Sequence, residues 1–315
     1  MSAAWVAGRV RAQALARRRL GPGRTRLLAE SASLADAVSI LAATPYGHGV
    51  TREQDLASAQ RGVAETLLWH LRVLAGWLPR GGATALRTVA AWFELANIDA
   101  LLQRLEGRPA EEPYVLGALG TAWPRLEDAS DIAALRERLT ASSWGDPGDV
   151  DPWTIRLVLR LSWASRIHAL GGRATAWAAG AAGVLVAGER FGAGRDLPRA
   201  ALERADRMLG ASPVRASALG AMAAHLGRDA HWALAGIDDP ADLWRAEGPL
   251  LETPGAGRQP AAARLGVRCR AGPRCRDRAG GRRLADPGRA RDRLPRRRAD
   301  GSLRCAGLRI CSRCG

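Results

Sequence analysis

Five histidines, five cysteines and a few clustered carboxylates are the side chains of this 315-residue chain whose chemistry could build a site. A helix-borne metal site wants two ligands three or four residues apart. His48, His70, His168, His225 and His231 never meet that spacing, either with one another or with a cysteine. His225 and His231 are six apart, which on a helix turns them to different faces, so the histidines read as surface or locally bonded groups. Asp146, Asp149 and Asp151 have neither the spacing nor the closing Glu of an EF-hand loop and read as a solvated turn. Gly188, Gly192 and Gly194 follow no strand, so they make no phosphate loop. All 47 basic residues are arginine. Without lysine there is no Walker-A contact to a nucleotide, no Schiff base and no kinase-type ion pair. No G-x-S-x-G elbow occurs, and residues 1–252 hold no cysteine to serve as a nucleophile. The expectation is a non-catalytic protein, with no catalytic, cofactor-binding or metal-binding residue to assign.

Glu94 and Asn97 are the most informative polar pair. They lie about one helical turn apart in Trp92-Phe93-Glu94-Leu95-Ala96-Asn97-Ile98-Asp99, and Asn97 falls four residues beyond Phe93 on the apolar stripe. A buried Asn needs partners and commonly fixes register between packed helices. The pair is therefore expected to be structural.

The elements that would position these residues read as helices. Ser33 opens one, with Asp36 in capping-box spacing and Leu34, Ala37, Val38 and Leu41 along one face; Pro45 and Gly47 stop it. A longer helix is expected from about Glu53 to Leu78, striped by Leu56, Ala59, Val63, Leu67, Leu71, Leu74 and Leu78, with Pro79, Gly81 and Gly82 ending it. A third runs from Thr84 to Leu105 on Leu86, Val89, Phe93 and Leu101, closing at Gly107-Arg108-Pro109. No two-residue alternation bounded by hairpin turns is present, so the fold class expected is all-α. The most apolar run, Ala174 to Gly188, spans 15 residues where a bilayer needs about 20, so it reads as a buried helix. No signal-peptide pattern follows the N-terminal arginines, and a cytoplasmic location is expected.

One echo runs through these patterns. Leu34, Ala37, Leu41, Tyr46 and Gly47 recur as Ile132, Leu135, Leu139, Trp144 and Gly145, each displaced by 98 residues. Ser33 maps onto Asp131, a second capping type. Periodicity alone does not demand the terminal aromatic-Gly, so a duplicated helical unit is expected. The second copy closes at Asp146-Pro147-Gly148, and Asp151-Pro152 starts the next helix. The units are drawn as 1–110, 111–197 and a partial third at 198–252.

Beyond residue 252 the composition changes. Residues 253–315 hold 18 Arg, four Asp and all five cysteines (Cys269, Cys275, Cys305, Cys311, Cys314), whereas residues 1–252 balance 29 Arg against 27 acids. This last stretch is read in three ways. It could be a disordered basic arm that binds nucleic acid or an anionic surface. It could be a zinc module, although only Cys311 and Cys314 have the short spacing. Or it could be an out-of-frame translation of a GC-rich gene, whose codons read as Arg, Gly, Pro, Ala and Cys.

The segment Trp5-Val6-Ala7-Gly8-Arg9-Val10-Arg11, with the later Thr44-Pro45-Tyr46-Gly47, resembles the opening of the C/d-type subunit of V-type and archaeal-type rotary ATPases. Phe93 to Leu102, then Gly107-Arg108-Pro109 and Tyr114-Val115-Leu116-Gly117, is similar to that family's helix end and linker. Arg9, Arg11 and Glu94 fall within the matching segments, and Trp5 stands where the family often has Tyr. The likeness is clearest over residues 5–50 and 85–120 and fades through 150–250. It implies an all-helical, funnel-shaped subunit of pseudo-repeated units that caps the membrane rotor ring and receives the central stalk. Such a subunit transmits torque in a proton- or sodium-translocating ATPase or ATP synthase, catalyses nothing alone and takes no cofactor. Its implied partners are the central-stalk subunits and the proteolipid ring, with no small-molecule substrate and no nucleic acid, at the inner face of the cell membrane. The family's last third is helical, and residues 253–315 depart from it. A generic helical-repeat scaffold, or a nucleic-acid binder acting through the basic tail, remains the alternative.

Overall fold

Helix caps written into the sequence set most element boundaries in the computed structural model, which describes residues 3–246. The readings of residues 253–315, and the end of the partial third unit, lie outside the described residues. Two helices open the chain, α1 (Ala3–Arg17) and α2 (Gly21–Ala29). Ser33 then accepts the Asp36 N–H at 3.1 Å and starts α3 (Leu34–Ala42). The Asp36 carboxylate accepts the Ser33 hydroxyl at 2.6 Å, so the cap is doubly tied. A 3₁₀ turn at Pro45–His48 follows.

The two longest helices form an antiparallel hairpin, α4 (Leu56–Trp77) and α5 (Arg80–Leu105). Asp55 caps α4 by accepting from Ser58 N, so the helix begins at Leu56, the first residue of the expected stripe, rather than at about Glu53. Only Leu78 and Pro79 interrupt the pair, and Gly81 and Gly82 sit inside the first turn of α5 rather than ending a helix. Proline before the first helical residue loses no intrahelical hydrogen bond, which allows so tight a break. The expected stripe on α4 is partly rotated. Leu68 and Leu74 are buried, while Leu67 is 50% exposed.

Short helices α6 (Trp123–Leu126) and α7 (Ile132–Thr140) lead to a second hairpin, α8 (Pro152–His168) and α9 (Arg173–Ala187). Asp131 caps α7 through Ala134 N, and Asp151 caps α8 through Thr154 N. The apolar run expected as a buried helix is α9, whose residues Ala178 to Ala187 are all buried. A single π turn at Gly188–Gly192 extends it. Then come α10 (Arg199–Leu209), α11 (Ala211–Val214), α12 (Leu219–His225), α13 (His231–Leu234) and a 3₁₀ turn at Pro240–Ala246. The described residues contain no strand and are all-α. No helix among them is long and apolar enough to cross a membrane.

Helix α8 is the centre of the packing because it is apolar on two faces. Ile155, Leu159, Trp163 and Ile167 pack toward α5, α6 and α7. Leu157, Val158, Leu161 and Ala164 pack toward α9 to α13. Small residues let α9 approach its neighbours closely. A Cβ on Gly180 would lie 2.4 Å from the Trp232 ring. Each leucine fully buried here contributes about 1.5–3 kcal/mol, so α8 ties both halves into one body.

Candidate functional site

Glu94 is 1% exposed on α5 and gathers donors from two later segments. Thr121 donates its N–H at 2.6 Å and its hydroxyl at 2.9 Å, and Ala122 N–H lies 3.1 Å from Oε1. Trp144 Nε1 donates at 2.6 Å from the turn after α7. The Trp144 side chain is itself buried, and the Arg166 guanidinium stacks over its ring at 5.0 Å. Burial lowers the Arg166 pKa, and the Glu94 charge acts against that shift. Both carboxylate oxygens of Glu94 accept, so it ties α5 to the bend before α6 and to the turn after α7.

Asn97 lies one turn further along. Its Nδ2 donates to Tyr114 O at 2.9 Å, and its Oδ1 accepts Tyr114 N–H at 2.6 Å. The pair thus fixes the extended linker at Tyr114 rather than the register of a second helix, because Asn can complete both bonds of one backbone residue. Tyr114 in turn packs edge-on against Phe93, and Arg61 lies 4.5 Å over its ring.

This clamped linker forms one wall of an open cleft of about 750 Å³. Helix α1 supplies Ala12 and Leu15, α4 supplies Leu67 and Leu71, and α8 supplies Arg156 and Arg160. Most of the lining is apolar, and Arg61, Glu111 and Glu112 are among its charged members. Arg156 is held by Asp99 and, at 2.9 Å, by Glu106. Burial raises the Glu106 pKa, but its hydrogen bonds from Arg108 and Arg156 outweigh this and hold it below the ordinary carboxylate range. A cleft with so apolar a lining suits an inserted apolar segment better than a small polar substrate.

The histidines are dispersed. His48 and His70 flank the Trp69 ring at 4.7 and 4.9 Å, and His70 lines the cleft. Burial first, then the charges of Arg18, His48 and Arg11, hold the His70 imidazole below its usual value. His168 ends α8, while His225 and His231 lie beside the backbone carbonyls of Ala221 and Ala223. Among the described residues no three His, Cys, Asp or Glu side chains gather as a metal-holding group. The aspartates expected as a solvated turn serve local bonds. Asp146 pairs with Arg136 at 2.9 Å, Asp149 accepts from Val150 N, and Asp151 caps α8. Arg9 is exposed, and Arg11 lies 5.1 Å over Trp77. The cleft has no signature in the sequence because it joins residues on four helices; half-exposed Leu67, inside an otherwise regular stripe, is a local trace of it.

No protein-family model, no curated protein and no solved structure matches the chain.

Proposed function

We propose that this chain is a non-catalytic coupling subunit of a V-type or archaeal-type rotary ATPase, joining the soluble central stalk to the membrane proteolipid ring. One observation carries the reading: the same capped turn recurs at the 98-residue offset, bond for bond. Thr44 Oγ1 donates to Leu41 O at 2.6 Å and accepts from Tyr46 N at 3.2 Å. Ser142 Oγ donates to Leu139 O at 2.7 Å and accepts from Trp144 N at 3.1 Å. Each turn ends a nine-residue helix and precedes a long helical hairpin. Local periodicity requires none of this, so it supports a duplicated unit of the kind the resembled family is built from.

In the proposed role the open cleft receives the foot of the stalk, and the clamps at Glu94 and Asn97 keep its wall rigid while torque passes. The location that goes with this role is the cytoplasmic face of the cell membrane.

Affinity capture with the full-length chain from detergent-solubilised membranes of the source cells tests the proposal. Co-purification of the proteolipid ring or central-stalk subunits is expected. Capture of soluble proteins without either component would replace it with a generic helical scaffold.

A further inference from the structure

We infer that α1 and the tip of the α4–α5 hairpin form a docking surface for an anionic lipid bilayer. The first observation is a charge asymmetry. Residues 3–29 and 66–93 carry ten arginines and no Asp or Glu, whereas the rest of residues 1–252 carries 19 arginines against 27 carboxylates. These stretches are neighbours in space. Helix α1 packs on α4, and α4 on α5. A Cβ on Gly82, in the first turn of α5, would lie 3.1 Å from the Trp5 ring, and one on Gly8 would meet Leu78. Arg9 on α1 and Arg80 at the hairpin tip are exposed at this junction with no carboxylate in either stretch to offset them, whereas Arg18 and Arg19 line the cleft and Arg72 and Arg87 bond to the carbonyls of Val115 and Ala118.

The second observation is what lies among them. Trp5 is 44% exposed and Trp77 50% exposed at the same end of the molecule. Val6 and Val10, one turn apart on α1, are 51% and 60% exposed, with exposed Arg9 between them and exposed Arg80 at the hairpin tip. Burying aliphatic side chains and the apolar body of Trp while cations meet headgroup phosphates is the chemistry of the bilayer interface. A nucleic-acid duplex would use the arginines but leave Val6 and Val10 in water. Direct lipid contact of this kind does not depend on the coupling-subunit reading, because a bilayer without any ring supplies the whole partner.

The test is co-sedimentation of the full-length protein with vesicles of mixed phosphatidylcholine and phosphatidylglycerol. Each surface cation near an anionic leaflet changes partitioning about fivefold, so the double substitution Arg9→Gln/Arg80→Gln is expected to weaken it about twenty-five-fold. Brominated acyl chains should quench the protein's fluorescence, and Trp5→Phe/Trp77→Phe should remove most of that quenching. Vesicles of phosphatidylcholine alone should not sediment the protein. Unchanged sedimentation of the arginine variant would overturn the inference by assigning the binding to other cations of the chain. Quenching that survives in the tryptophan variant would overturn it as well. So would a single-stranded oligonucleotide whose binding needs Arg9 and Arg80 while the mixed vesicles leave the protein in solution.

Discussion

Glu94 receives four donors, from Thr121 N–H, the Thr121 hydroxyl, Ala122 N–H and Trp144 Nε1. Replacing it by alanine strands those donors in a site closed to water, which costs far more than the net worth of any single bond. Glu94→Ala is expected to lower unfolding free energy by about 3–5 kcal/mol in urea titration, and Glu94→Gln, which keeps an acceptor, by clearly less. Equal losses in the two variants would show that the side chain's volume, not its acceptor role, matters. His70 allows a prediction with a definite sign. Its folded pKa lies below the ordinary 6.5, so the unfolded chain takes up the proton first as pH falls. Stability is therefore complete above about pH 6.5 and declines as pH drops through that value. His70→Gln should flatten the decline, as measured by thermal unfolding across about pH 5 to 7.

At the scale of elements, contacts between glycines decide where α4 can sit. A Cβ on Gly62 would lie 1.9 Å from Gly49 O, and one on Gly49 would lie 2.5 Å from Gly62 O. Backbone cannot yield as a flexible side chain does. Gly62→Ala should cost about 1–3 kcal/mol despite alanine's better helix propensity, whereas Gly76→Ala on the same helix meets no atom and should be neutral or slightly stabilising. Thermal unfolding of the two variants makes the comparison.

Most of the helices that frame the hairpins were legible in the sequence, because their caps are local. Ser33, Asp131 and Asp151 each accept an N–H three residues ahead. Helix α1 was not legible, since its alanines and arginines give no apolar stripe and it is held by the close approach of Gly8 to Leu78. The structural reading of Asn97 could be made from its place on the stripe. Its partner could not, because Tyr114 reaches it through a linker with no periodicity. Glu94 stands out in the sequence but its clamp does not, since Thr121 and Trp144 lie 27 and 50 residues away.

For the whole molecule, α8 joins two apolar clusters, so the hairpins are expected to move together rather than as separate units. A cleft walled by one packed body is expected to resist closing, as the proposed torque-transmitting role would require. The most direct measurement is photo-crosslinking from the cleft itself. A benzophenone amino acid placed at Leu67, half-exposed on α4 and facing the cleft, would be irradiated in native membranes bearing the full-length protein. The account predicts a covalent adduct with a central-stalk subunit, lost when the stalk is stripped from the membranes before irradiation. Adducts only with soluble proteins outside the rotary complex, or the same adduct after stripping, would contradict it.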